Sequence, residues 1–442
     1  MTPPIDPQHA RQFALKIVST LRHAGHQAYW AGGCVRDQLL GKQPQDYDVA
    51  TAAHPEQIRT LFGRHRTLTI GAAFGVVTVL GPPGAGQIEV ATFRRDEGYS
   101  DGRHPDQVAF STAEEDARRR DFSINGLFFD PENKEIIDYV SGRNDIQDRV
   151  IRCIGNARER FDEDKLRMLR AVRFATTLGF TIESTTFQSM RTYADQIDCV
   201  SPERIAAEMR RILVHPHRLT GLNLLRESGL WRIVLPESVL PESVLPAPPS
   251  RHQPQQLSTW QPLKNLLEHL STHDFSTAIA ACLWPVAQYS NRTRVAAELS
   301  QRWRLSNDEH KRIDWLLAHE SELRRAPQIP WPQLQRILIH PWIDHLVELS
   351  RAIAQTQAGE QTAIDYAAQK LQLAPNELNP APLINGNDLL AAGIPRGPQY
   401  SLILQAVRDA QLNSQISTQD VAIEYAKQYW NESRDESALD NN

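Results

Sequence analysis

Between Ala31 and Thr51 the chain reads AGGCVRDQLLGKQPQDYDVAT. Asp46 and Asp48 are one residue apart. On a strand, alternate side chains share a face, so the spacing predicts two carboxylates pointing the same way. Two such groups repel unless a cation lies between them, and Mg2+ is held by one or two carboxylates together with substrate phosphates. Asp-x-Asp alone is also an ordinary solvated turn. The residues before it decide between the two. Gly32 and Gly33 let the backbone approach an anion closely, with amides free to donate. Arg36 follows, and a guanidinium takes a phosphate in bidentate fashion; Asp37 is expected to orient Arg36 or cap the local helix. A glycine turn, an arginine and a metal pair at Asp46 and Asp48, all within seventeen residues, predict a nucleoside triphosphate site.

Two later stretches add charge to it. In RRDFSINGLFFD (Arg119–Asp130) Arg120 is expected to contact triphosphate or sugar, with Asp121 and Asn125 ordering the site by hydrogen bonds. A solvated helix start capped by an aspartate is the structural alternative. In EDKLRMLRAVRF, Asp164 and Arg167 are three apart, which on a helix places them on one face. Arg170 and Arg173 continue the spacing, and three arginines in register call for an anionic partner, which a nucleotide supplies. An ordinary surface pair explains Asp164 and Arg167 equally well, at only ~0.3–0.5 kcal/mol.

These residues need a scaffold. The chain has 442 residues, too many for one core, and 41% hydrophobic and 23% charged residues are ordinary for a soluble globular protein. No run approaches the length of a membrane span and no secretion signal is visible, so cytoplasmic localisation is expected. Cys34, Cys153, Cys199 and Cys282 lack metal-site spacing and read as reduced thiols. The same holds for His273, His340 and His345, which have no matching ligand set and read as packing or surface histidines. The net charge of −5 excludes a uniformly basic nucleic-acid binder. From Arg149 to Arg173, however, eight Lys/Arg face four Asp/Glu.

Up to about residue 150 the pattern alternates. QFALKIVSTLRHAG predicts an amphipathic helix ending at Gly25. FGVVTVLG and GQIEVATFRR, separated by GPPGAG, predict a hairpin, and EIIDYVSG a further strand. DEGYSDGRHPDQ (96–107) reads as a mobile loop. From about Asp162 strand signals nearly vanish, and Ser201-Pro202-Glu203 is a strong helix start. A proline-rich stretch with a tandem LPESV repeat, near 235–256, predicts a disordered insertion, and SRDESALDNN a frayed tail. The expected fold is α+β: an α/β head with a mixed sheet, then an elongated all-helical neck, body and tail. The expected boundaries are head 1–150, neck 151–215, body 216–325 and tail 326–442.

GGCVRDQLLG followed by DYD resembles the signature of the nucleotidyltransferase superfamily with the polymerase β-type catalytic fold. Together with RRDFSINGLFFD, RFDEDKLRMLRAVRFATTLGF and SPERIAAEMRRIL in that order, it is similar to the class II tRNA nucleotidyltransferase and bacterial poly(A) polymerase family. The resemblance runs from Ala31 to Leu213; INGNDLLAAGIPRGP extends it more weakly. It implies attack of an RNA 3′-hydroxyl on a nucleotide α-phosphate, with Asp46 and Asp48 catalytic and metal-binding. It also implies nucleotide binding by Gly32, Gly33, Arg36, Arg120, Asp121, Asn125, Asp164, Arg167, Arg170 and Arg173. A third metal carboxylate is left open between Glu89 and Asp121.

Cytosine and adenine each present an exocyclic amino donor beside a ring-nitrogen acceptor. An aspartate accepts from the first and an arginine donates to the second. Uracil and guanine reverse the pattern, and a site left with unpaired polar groups rejects them, on the order of 10⁴–10⁵-fold. Asp164 and Arg167 therefore suit selection of C and A, the role the resemblance also gives them. The expected partners are tRNA, CTP and ATP, with no membrane, and the expected reaction is CCA addition. Poly(A) synthesis, CC-only or A-only addition, and a catalytically silent RNA-binding protein remain the alternatives.

Overall fold

A computed structural model describes residues 5–69, 71–98, 107–239, 260–357, 359 and 361–439. Contacts divide the chain into two compact units, one of residues 1–239 with 302–304, the other of 240–301 with 305–442.

The first unit opens with α1 (Pro7–His23), β1 (Ala28–Ala31), α2 (Gly33–Leu39), β2 (Asp48–Thr51) and α3 (Pro55–Phe62). Asp6 caps α1 by accepting from the Gln8 and His9 amides, and Gly25, at φ +86°, turns the chain after it. Then come β3 (Thr67–Leu68), β4 (Val76–Leu80), β5 (Gln87–Thr92), β6 (Arg94–Glu97) and β7 (Gln107–Phe110). α4 (Ala113–Arg118), β8 (Leu127–Asp130), β9 (Glu135–Asp138) and α5 (Gly142–Gln147) follow. Seven strands form one sheet in the order β3-β4-β5-β2-β1-β8-β9. It is mixed, because β2 and β5 run parallel while every other pair in it is antiparallel. Trp30, Val77, Val90, Leu127 and Phe128 are buried in the sheet. The expected hairpin around GPPGAG is β4–β5.

The run read as one strand from Gln87 onward is two elements. β6 leaves the large sheet and pairs with β7 in a separate ribbon, so the ends of the expected loop are strands; its centre, 99–106, lies outside the described residues.

After β10 (Val150–Ile151) the unit becomes helical: α6 (Ala157–Glu163), α7 (Leu166–Leu178), α8 (Ser184–Tyr193) and α9 (Pro202–Leu213), with a two-residue β11 (Thr181–Ile182) pairing with β10. α7 packs on α9, and Leu169 and Val172 of α7 and Met209 of α9 are buried. The first LPESV copy is ordered, against expectation. Leu235 is buried, and Glu237 accepts from Arg302 at 2.5 and 2.7 Å. Residues 240–256 of the expected insertion lie outside the described residues.

The second unit is helical throughout its described residues, and the apolar helix Phe275–Ala287 is buried along its whole length. His340 stacks on Trp315 at 4.0 Å between ring centroids. The last helix, Gln419–Leu439, runs through most of the stretch expected to fray. No described helix is long and apolar enough to cross a membrane.

Candidate active site

The chain turns sharply between β1 and α2. Gly32 takes φ +72° and ψ −125°, a conformation L side chains avoid, and a Cβ there would lie 2.9 Å from Arg120 Nη1. The glycine thus lets an arginine close on the turn. Gly33 starts α2, which buries Cys34 and Val35 and leaves Arg36 toward the cleft.

Asp48 begins β2 and pairs in register with Glu89 of the parallel β5. Residues opposed across a ladder share a face, so these two carboxylates stand side by side. Asp46 precedes the strand, exposed in a bend. Asp46, Tyr47 and Asp48 are exposed, buried and exposed in turn, so Asp46 stays on the solvent side with Asp48 although only Asp48 is in the strand, and Glu89 is a further carboxylate beside Asp48. Asp48 is open to solvent along the cleft. Even so, the protein around it, then Glu89 and Asp46, push its carboxyl up to about 6, against the pull of Arg120. Crowded hard oxygens short of positive charge are the donor chemistry of a divalent cation. Among the described residues no three His, Cys, Asp or Glu side chains gather closely enough to form a complete metal cage.

Asp121 and Asn125 are buried at the floor. Asp121 Oδ2 accepts from Arg170 Nε at 2.8 Å and Nη2 at 2.5 Å, and its Oδ1 accepts from the Phe122 amide and Asn125 Nδ2. Burial alone would raise this carboxyl, but the Arg170 guanidinium outweighs it and holds it at about 2. With both oxygens so committed, Asp121 is a structural anion. Asn125 Oδ1 accepts from Arg36 Nη1 at 2.7 Å, while Arg36 Nε and Nη2 donate to Asp37. Arg120 Nη1 donates to the Asn125 carbonyl at 3.2 Å, and its Nε and Nη2 donate to Asp116. Asp116 is buried between Arg119 and Arg120; burial would raise it, and the two guanidiniums hold it below the usual carboxylate range.

The expected continuous helix across Asp164 is broken. α6 ends at Glu163, Asp164 is extended at φ −152° and ψ 105°, and α7 begins two residues later. Asp164 and Arg167 therefore do not pair across a helix turn. Asp164 accepts from Arg204 Nη1 and Nη2 at 3.2 and 2.7 Å and from the Leu166 amide. Arg167 is bonded to Glu163 and to the Arg160 carbonyl. Arg173 Nε donates to Glu208 at 2.5 Å. Each arginine of the stripe thus has a carboxylate inside the protein, which corrects the premise that a nucleotide must neutralise them. Phe174 sits among three guanidiniums, with Arg36, Arg170 and Arg173 at 5.3, 5.5 and 3.9 Å from its ring centre.

A cavity of about 590 Å³ brings these groups together. Gly32, Gly33, Arg36, Asp48, Arg120, Asp121, Asn125, Asp164, Arg167, Arg170 and Arg173 all line it; Asp46 does not. Eight arginines and three aspartates line it, and Asp37, Asp116, Glu163 and Glu208 bonded to those arginines bring the local excess down to one positive charge, with guanidinium faces turned to the cavity. Sequence reasoning missed Arg119, Phe174 and Arg204 in the lining, and Asp116, Glu163 and Glu208 behind it. Glu208, four residues after Arg204 on α9, was detectable as a buried acid on an apolar face. The Asp164–Arg204 pair had no local signal.

Residues 28–152 match the family described as poly A polymerase head domain, and 179–239 the probable RNA and SrmB-binding site of polymerase A. The CCA-adding enzyme of Lactiplantibacillus plantarum is 34% identical over 423 residues, covering 94% of this chain and 96% of that one. That of Bacillus cereus strain AH820 is 31% identical, covering 90% and 93%. The crystal structure of the Bacillus stearothermophilus CCA-adding enzyme in complex with CTP superposes with a TM-score of 0.69 at 26% identity, over 97% of this chain and 99% of that one.

Proposed function

The chain belongs to the family of CCA-adding enzymes, and we propose how its own residues carry that activity, the addition of C, C and A from CTP and ATP to the 3′ end of tRNA. The observation that carries the reading is the arginine-rich cavity with Asp48 at its edge and Glu89 beside it on the neighbouring strand.

The triphosphate lies against Arg36, Arg120 and the Gly32–Gly33 turn, where fixed guanidiniums balance the charge of the leaving pyrophosphate. Asp121 and Asn125 do not touch the reacting phosphate. They set the directions of Arg170 and Arg36, so that the site needs no reorganisation as charge moves. Asp46, Asp48 and Glu89 supply hard oxygens for a divalent ion, which we take to be Mg2+. When bound it would stabilise the attacking 3′-oxygen and the leaving oxygen.

The base is read without a template. Asp164 accepts from the exocyclic amino group of cytosine or adenine, and Arg167 donates to the adjacent ring nitrogen. Arg204 fixes the Asp164 carboxylate from one side and Glu163 fixes Arg167, so the two reach the base from separate anchors rather than from one helix face. Arg170 and Arg173 complete the positive wall. The division into a head of 1–150, a neck of 151–215, a body of 216–325 and a tail of 326–442 assigns catalysis to the head and base reading to the neck. Body and tail bind the tRNA backbone through sequence-independent contacts. We place its action in the cytoplasm.

The test is incorporation of each labelled nucleotide, given singly with Mg2+, into tRNA lacking CCA or ending in C or CC. CTP is expected to extend the first two and ATP only the third. Long A tails on any RNA would replace this reading with poly(A) synthesis.

A further inference from the structure

Asn125 ties together three charged groups: its Oδ1 holds Arg36, its Nδ2 holds Asp121 and its carbonyl holds Arg120. A residue with two side-chain duties and one on its backbone carbonyl needs its backbone held, and the 3-10 turn that carries it, Ser123–Asn125, has no side-chain cap of its own. The turn is held instead from behind, by α5. Ser123 Oγ donates to Asp145 Oδ2 at 2.5 Å, with both residues buried. Asp145 in turn accepts from Arg152 Nε at 3.1 Å, while the Arg152 carbonyl accepts from the Ser123 amide at 3.0 Å. Gly142, the first residue of α5, lies so close that a Cβ there would fall 2.2 Å from the Ser123 carbonyl oxygen. Asp138 fixes this end of α5, accepting from the amides of Val140, Gly142 and Arg143.

We propose that Asp145 is a positioning residue for the nucleotide triphosphate: through Ser123 it sets the turn that aims Asn125, and through Asn125 it sets Arg36 and Arg120. Asp145 does not line the cavity and touches no substrate. Its own bonds run to Ser123 and Arg152, whereas Asp164 is held by Arg204 and Arg167 by Glu163. Loosening it should therefore weaken CTP and ATP alike and leave the choice between bases intact. This inference rests on the assignment of Arg36 and Arg120 to the triphosphate.

The test is steady-state kinetics of Asp145→Asn and Ser123→Ala on tRNA ending in CC and on tRNA lacking CCA. Both variants are expected to raise KM for ATP and for CTP by about tenfold, the worth of one charge-assisted hydrogen bond. KM for tRNA and the preference for C and A over U and G should stay as in the unaltered chain. Because both changes act on the same Ser123–Asp145 bond, the double variant should cost little more than Asp145→Asn alone, which also loosens Arg152. A fall in kcat at unchanged nucleotide KM would mean a merely structural role, and additive effects of the two changes would break the proposed linkage. Either result overturns the proposal. Ser123→Ala removes one oxygen and keeps the reading testable where Asp145→Asn folds poorly. If the unaltered chain itself incorporates neither nucleotide, the assignment of function fails instead.

Discussion

Asp121 is the most committed carboxylate in the site, and replacing it by asparagine isolates its charge. The amide keeps an acceptor for the Phe122 amide but loses the ionic bond to Arg170. The folded carboxyl titrates at about 2, against an ordinary 3.8. At ~1.36 kcal/mol per pH unit, that interval corresponds to roughly 2–3 kcal/mol of stability at neutral pH. A carboxylate whose pKa is depressed on folding stabilises the fold fully above its unfolded value. The contribution shrinks as pH falls below about 4 and is gone below about 2. At pH 3 it should stand at roughly half its neutral value. Hydrogen exchange of the α7 amides reports local opening in the element that carries Arg170. Asp121→Asn should lower that opening free energy by roughly 2–3 kcal/mol at pH 7, and by about half as much at pH 3. A difference that is equal at the two pH values would refute the ion pair as its source. So would a neutral-pH loss below about 0.5 kcal/mol.

Asp46→Ala and Asp48→Ala should each abolish nucleotide incorporation while tRNA binding, measured by filter retention, survives; loss of binding instead would place them in the RNA interface. Glu89→Gln should reduce kcat and raise the Mg2+ concentration needed for half-maximal rate, whereas an unchanged metal requirement would remove Glu89 from the metal site. Arg167→Ala and Arg204→Ala should both blur discrimination of C and A from U and G, measured by misincorporation, because Arg204 holds the Asp164 carboxylate that the choice depends on. Gly32→Ala should raise nucleotide KM, since a methyl group there meets Arg120 and the backbone conformation resists an L side chain; unaltered KM would show that the turn has slack.

Most of the residues that line the cavity could be seen in the sequence, because glycines, paired acids and arginines at short spacing are local signals. The strand–helix alternation of the head, the β4–β5 hairpin and the helical character beyond Asp162 were readable for the same reason, since periodicity is a property of neighbouring residues. The partners of those residues were not. Asp164 sits in a helix break that its own sequence does not announce, and its guanidinium partner comes from a helix forty residues away. Glu89 joins Asp48 only because β2 and β5 lie parallel and in register, a pairing of strands some forty residues apart. The arginine stripe looked unneutralised because Asp121 and Glu208 reach it through space rather than along the helix. Sequence by itself determined the kinds of charge the site contains. Only the tertiary structure decided which charges neutralise one another and which are left for a substrate, because electrostatic pairing depends on distance in space and chain spacing encodes it only within a turn or a strand.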